Sequence, residues 1–370
     1  MKKLKDNKRY EKISLEEEEV NPFCLSFGTI PEQFIKREKS ADQVMVDFVR
    51  NNNKAHTYIF SGVRGAGKTV MLNYLRKEFD KMEDWIVLLI NPEMDILEGI
   101  SSKLYDAGKM KKYFLKTTFN FSFKGIGFSI EGKEVVPNVE VLLEKMLQIV
   151  KDQNKKLLIC IDEITSSQNV KTFTHTFKNL VNLGYPIYLL ATSINEYLYK
   201  MKNEQTLTFL YRSPKIEIGP LNLFAIAYTY KKMFDLDEDT SIKFAKLTEG
   251  YASAFQIIGS ILFETNKKDI DQELLFEYDK ILADINYEKL WSDLSRGDRK
   301  FICAMQNQSN NKASDIISIG HISQNSYSQY RNRLLLLGVI KTDVYGYLSV
   351  ALPRLYNFIQ KKIKMESISL

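Results

Sequence analysis

The run T-Y-I-F-S-G-V-R-G-A-G-K-T at residues 57–69 constrains this chain more than any other. It sets a short apolar stretch directly before Gly62 and puts Gly67, Lys68 and Thr69 at the spacing G-x-x-x-x-G-K-[ST], the pattern of loops that cradle phosphates. Such a loop needs a strand entering and a helix leaving, so the sequence predicts a strand at 57–61 and a helix from residue 70. Gly62, Gly65 and Gly67 let the backbone turn sharply and aim its N–H groups at phosphate oxygens, at the positive end of that helix. The predicted nucleotide-binding set is Gly62, Val63, Arg64, Gly65, Ala66, Gly67, Lys68, Thr69 and Val70. Within it, Lys68 is expected to reach the terminal phosphates and the Thr69 hydroxyl to ligate magnesium.

A second apolar run, L-L-I-C-I-D-E at 157–163, ends in two adjacent carboxylates. Acidic residues often follow strands, but a phosphate loop upstream gives this pair a use. Asp162 is expected to hold the magnesium shell, and Glu163 to polarise the attacking water as general base. Thr192 and Ser193 close the next apolar run, where a hydroxyl either touches the γ-phosphate or the lytic water, or caps the following helix. Arg212, in F-L-Y-R-S-P, either lends positive charge to a neighbouring subunit's nucleotide, which implies self-association, or is a solvated surface residue.

The 370 residues are long for one core, so two or three domains are expected. A charged tail at 1–20 precedes an α/β pattern over 21–220, with strands at 57–61, 85–90, 157–161, 187–192 and 215–218 alternating with helices. Alternation of this kind predicts a parallel sheet covered on both faces. Residues 113–135 interrupt it: Phe119, Phe121 and Phe123 alternate with polar residues, then Ile126, Phe128 and Ile130 alternate in the opposite phase, which predicts an inserted hairpin. From 221 to about 290 the pattern is wholly helical. The apolar runs are far too short to span a membrane and no secretory-type leader opens the chain, so a cytoplasmic protein without a membrane partner is expected. Cys24, Cys160 and Cys303 are scattered and odd in number, which argues against a disulfide framework or a zinc site.

The net charge of +6 is unevenly spread, because residues 296–370 hold eleven Lys and Arg against four Asp and Glu. Three helix-length segments lie there, at 298–306, 313–319 and 324–336, with Gly320 between the last two. Gln324, Asn325, Tyr327, Arg331 and Arg333 on the third form a polar and basic set suited to phosphates and base edges, hence to double-stranded DNA. Residues 338–350 then alternate as a hairpin turning near Gly346. Together these segments read as a winged helix over 296–360, a module that also serves as a protein-packing unit.

The pieces together resemble bacterial ATP-binding proteins of the AAA+ class related to archaeal and eukaryotic origin-recognition ATPases. The resemblance rests on N-P-F-C-L-S-F-G-T-I-P-E-Q-F-I-K-R-E at 21–38, the phosphate loop, I-C-I-D-E, F-L-Y-R-S-P-K-I-E-I-G-P-L at 209–221, E-G-Y-A-S-A-F-Q-I-I-G at 249–259 and Y-R-N-R-L-L-L-L-G-V-I at 330–340. It implies a P-loop NTPase with a five-stranded parallel α/β sheet, a helical lid at 221–290 and a C-terminal winged helix-turn-helix. ATP and Mg2+ are the implied cofactors, with residues 21–38 passing close to the adenine. One departure matters. Such relatives commonly carry an arginine in the lid, whereas 250–256 reads G-Y-A-S-A-F-Q with no basic residue, so slow hydrolysis is expected. The leading expectation is a slow ATPase that couples its nucleotide state to DNA binding through the winged helix. The same stretch, at 250–252, also resembles the lid of signalling ATPases, and the alternative is a switch whose nucleotide state controls oligomerisation or a protein partner.

Overall fold

The computed structural model describes residues 20–26, 28–50, 55–115, 119–120, 134–135, 138–342 and 344–366. The strands of its first half are β1 (Thr57–Ser61), β2 (Trp85–Ile90), a two-residue pair β3 (Phe119–Asn120) and β4 (Glu134–Val135), then β5 (Lys156–Ile161), β6 (Ile187–Ser193) and β7 (Lys215–Glu217). All but the short pair join one parallel sheet in the order β2-β5-β6-β1-β7. The interleaved helices are α1 (Glu38–Arg50), α2 (Lys68–Asp80), α3 (Ile96–Asp106), the single turn α4 (Lys111–Phe114), α5 (Val139–Asp152), α6 (Gln168–Asn182), α7 (Asn195–Met201) and α8 (Thr208–Arg212).

The continuous apolar strands follow from burial on both faces. Along β1 and β5, Ile59, Leu157, Ile159 and Ile161 face a core shared with α3, α5 and α6. The intervening Tyr58, Phe60, Leu158 and Cys160 face the opposite core, shared with α1 and α2. Side chains alternate with period two, so a strand covered twice has no polar position to spare. Asp95, Asn138 and Ser167 start α3, α5 and α6 by accepting backbone N–H groups of the first turn.

The predicted hairpin near 113–135 falls largely outside the described residues. Its two described fragments, β3 and β4, pair in parallel, which the arms of a simple hairpin do not do.

The second half opens with α9 (Leu223–Phe234), α10 (Glu238–Thr248), α11 (Ala252–Thr265) and α12 (Gln272–Leu282), then a π-helical turn and α13 (Glu288–Asp293). After it come α14 (Arg296–Cys303), β8 (Asn311–Lys312), α15 (Ala313–Ile319), α16 (Gln324–Leu337), β9 (Ile340–Lys341), β10 (Tyr347–Val350) and α17 (Leu355–Glu366). The predicted strand pair is present and antiparallel, and β8 joins it from the other side as a third strand. A two-residue strand carries no periodicity, so β8 left no mark in the sequence pattern. The stretches expected as lid and winged helix share one apolar core, which runs from Leu221 to Ile359 and includes Phe23 from the N-terminal segment.

Candidate nucleotide site

β1 lies between β6 and β7, and the phosphate loop leaves its C-terminal end, the edge where open parallel sheets bind ligands. Gly62, Gly65 and Gly67 hold φ of 146°, 76° and 95°, the left-handed side of backbone space that the turn requires. Lys68 opens α2 and is buried, its Nζ donating to the carbonyl oxygens of Gly62 at 3.1 Å and Val63 at 2.8 Å. Burial lowers its pKa to about 8; Glu163 and Asp162 oppose that shift and Arg64 adds to it.

β5 delivers the two carboxylates to the same edge. The Thr69 hydroxyl lies 3.1 and 2.9 Å from the Asp162 carboxylate oxygens. A hydroxyl beside a carboxylate is a hard-oxygen pair that suits Mg2+, which takes few protein ligands and completes its shell with water and phosphate. No cluster of three or more His, Cys, Asp or Glu able to hold a metal exists among the described residues. Thr192 sits at the end of β6, almost fully buried. Its hydroxyl donates to Asp162 Oδ1 at 2.6 Å and accepts the Glu163 N–H at 2.8 Å, so it joins the two carboxylate residues. Ser193 points away and donates to the Ile164 carbonyl. Glu163 is exposed with φ of 57°, and that left-handed turn swings its side chain away from Asp162 towards Arg64.

The helical region closes over the loop. Tyr251 Oη donates to the Arg64 carbonyl at 2.7 Å and fills the space where a Cβ on Gly65 would stand. The Ser253 N–H, at the start of α11, donates to the Gly65 carbonyl at 3.1 Å, and Asn286 braces both Tyr251 and Ser253. Arg64 pairs with Glu163 at 3.6 Å and with Asp293 of α13 at 3.8 Å. The cleft between loop and helices holds about 230 Å³, and Leu25, Pro31, Phe34 and Ile35 of the N-terminal segment make one wall. That segment is strapped down by Gln256, which accepts the Cys24 N–H and donates to the Gln33 carbonyl. Phe23 belongs to the core, against Tyr230, Phe234 and Phe255.

Arg37, Asn286 and Asp293 carry no sequence signal that marks them for this site. Arg37 lay inside the quoted 21–38 stretch, where its place before α1 hid it; Asn286 and Asp293 have no spacing relation to the loop.

The residues expected elsewhere are not gathered here. Arg212 is exposed at the end of α8 and does not line the cleft. Gln324 and Asn325 are exposed on the first turn of α16, and Arg331 donates to Thr342 Oγ1 at 3.1 Å. Two further candidates for DNA contact have partners within the chain. Tyr327 stacks on Phe301 at 5.2 Å between ring centres. Arg333 pairs with the fully buried Asp298 and, at 3.6 Å, with Glu196 of α7, because a buried carboxylate needs a cation close by. The polar sequence pattern of α16 cannot separate a solvated face from one that grips its own neighbours.

Residues 286–359 match a protein family described as a domain of unknown function (DUF8462). No curated protein matches the chain in sequence. Among solved structures, the chain is similar to the Walker-type ATPase paby2304 of Pyrococcus abyssi, at 12% identity and a TM-score of 0.62, over 89% of this chain and 97% of that one. It is also similar to the ORC2 protein of Aeropyrum pernix at 12% identity, over 93% of this chain and 98% of that one. The TM-score is 0.57 for its ADPNP-ADP complexes and 0.51 for its ADP form. The fold is therefore that of a P-loop AAA+ NTPase, with a parallel five-stranded α/β sheet. No helix among the described residues is long and apolar enough to cross a membrane.

Proposed function

We propose that the chain is a slow, Mg2+-dependent ATPase whose nucleotide state sets the seating of its C-terminal region on the phosphate loop. The observation that carries this is Arg64, which joins the loop to Glu163 on one side and to Asp293 of α13 on the other. In this reading the loop N–H groups and Lys68 take the phosphates, and Thr69 and Asp162 hold Mg2+, which when bound neutralises charge on the phosphate oxygens. Glu163 orients and deprotonates the water. While it pairs with Arg64, Glu163 is turned from that task, so turnover is slow until the pairing is released. The chain is read as an AAA+ core at 21–220, a lid at 221–290 and a winged helix at 296–360.

The experiment is ATP hydrolysis and ATP retention measured on the full chain and on Glu163→Gln. The variant should hold ATP and lose turnover; hydrolysis at the parental rate would remove Glu163 as the base.

A second reading couples the same switch to double-stranded DNA through the winged helix. It is favoured by Gln324 and Asn325, exposed together at the start of α16, and by the excess of Lys and Arg after residue 296. Arg333, held by Asp298 and Glu196, supports the protein-packing alternative instead. A titration with duplex DNA against salt separates them: no affinity at low salt, with or without ATP, would sink the DNA reading. Arg212, exposed, is the residue proposed to reach a neighbouring copy's nucleotide, and ATPase specific activity that rises with protein concentration is its test.

A further inference from the structure

Three cations line the cleft: Arg37, Arg64 and Lys68. Arg64 is engaged by Glu163 and Asp293, and Lys68 by two loop carbonyls. Arg37 differs from both. Its Nη2 donates to the Ala66 carbonyl at 3.0 Å and to the Gly219 carbonyl at 2.8 Å, which uses both N–H groups of that nitrogen. Among the described residues, no carboxylate pairs with Arg37, and no acceptor meets its Nη1 or Nε. The acids of the cleft are already committed, Asp162 to Thr69 and Thr192 and Glu163 to Arg64.

Beyond those two carbonyls, the surroundings of Arg37 add to its charge, and no carboxylate among the described residues pairs with it. Its Nη1 lies 3.4 Å from the point where a Cβ on Gly67 would stand, immediately before α2, and the Ala252 methyl at the start of α11 lies 3.6 Å from the same point. Two helix N-termini, each with a partial positive charge, thus converge on a half-buried guanidinium. Burial lowers its pKa to about 10, which leaves it charged at neutral pH. A partly desolvated cation whose Nη1 and Nε donors meet no acceptor among the described residues, beside a phosphate loop, suits an anionic ligand.

We propose that Arg37 is a nucleotide-phosphate ligand: its Nη1 and Nε edge takes oxygens of the phosphate chain of a nucleoside di- or triphosphate, while its Nη2 edge holds Ala66 to Gly219. The inference rests on the nucleotide-binding reading above and adds a cation to it. The two carbonyls orient the guanidinium before ligand arrives, so little side-chain entropy is lost on binding. The phosphate in turn fixes Arg37, and with it the junction between the N-terminal segment and the end of β7.

The test is equilibrium binding of ATP, ADP and adenosine to the parent chain, Arg37→Gln and Arg37→Lys, with thermal melting of each protein with and without ADP. Loss of one charge-assisted contact lowers affinity roughly 10- to 100-fold. Arg37→Gln should show that loss for ATP and ADP, show none for adenosine, and have a smaller ADP-induced rise in Tm. Arg37→Lys should recover part of it. Equal ATP affinity in the parent and Arg37→Gln would overturn the assignment, as would a loss that is the same for adenosine as for ATP, the mark of a purely structural role. A parent chain that binds neither ATP nor ADP would instead sink the nucleotide reading on which the proposal stands.

Discussion

Gly338, at the C-terminal cap of α16, lies directly against Val63 of the phosphate loop and leaves no room for a Cβ. The contact places the end of the predicted DNA-reading helix on the loop proposed to take phosphates. Gly338 has φ of 69°, and its N–H and that of Val339 return to the carbonyls of Leu335 and Leu334, a glycine-closed helix end.

Gly338→Ala therefore meets two obstacles. The left-handed backbone costs an alanine about 1 kcal/mol, and its methyl overlaps Val63. The expected outcome is a lower Tm and faster release of a fluorescent ADP analogue, because α16 must withdraw from the loop. Val63→Ala in the same chain should restore part of the slow release; a double variant no slower than Gly338→Ala would show that the overlap is not what matters.

Thr192 gives a prediction about catalysis. Replacing it with Val leaves Asp162 Oδ1 and the Glu163 N–H without their shared hydroxyl, a loss on the order of 1–3 kcal/mol for a buried pair. Turnover should fall by tenfold or more with ATP affinity changed much less, while Thr192→Ser stays near the parent. Steady-state kinetics on the two variants decides it: equal kcat in Val and Ser would mean that the hydroxyl orients nothing.

What was readable in the sequence divides by the range of the interaction. The phosphate loop is contiguous and its geometry is imposed by glycines at fixed spacing, so Gly62 to Thr69 declared the strand, turn and helix that the structure shows. Asp162 and Glu163 were legible because they end a fully apolar run, as a doubly covered strand must. Tyr251 on Gly65, Asn286 behind Tyr251 and Asp293 on Arg64 join parts of the chain nearly two hundred or more residues apart, or lie where no periodicity points. Arg333 illustrates the opposite case. On a helix of low amphipathicity its charge resembled a ligand-binding charge, and only the fold brings Asp298 and Glu196 to it.

That ion pair is itself testable. Asp298 is fully buried and also accepts the Ser295 N–H at 2.9 Å, so removing the guanidinium strands a carboxylate that one remaining cap cannot neutralise. Arg333→Ala should cost on the order of 2 kcal/mol in a chemical-denaturation measurement. Any DNA affinity the parent displays should survive in conditions where the variant is folded. A large and selective loss of DNA binding at unchanged stability would return Arg333 to the role expected from its sequence.

Lys68 gives ATP binding a pH dependence whose sign can be worked out. In the free protein its pKa is lowered to about 8 by burial, from an ordinary value of 10.5. Phosphate oxygens beside the ammonium raise the pKa again in the complex, so ATP binding takes up a proton wherever free Lys68 has lost one. Affinity is then fully developed below pH 8 and falls as pH rises through 8 towards the pKa of the complex, by up to about tenfold per unit. Folding of the free protein has the opposite trend. Between pH 8 and 10.5 the unfolded chain binds more protons at this residue than the folded one, so its contribution to stability improves across that window. Calorimetric titration of ATP from pH 7 to 9.5, with Lys68→Arg as a side chain that stays charged, reads the effect directly. The parent should lose affinity with a measurable proton uptake and Lys68→Arg should show neither. A pH slope of the same size in both would place the titrating group elsewhere in the cleft.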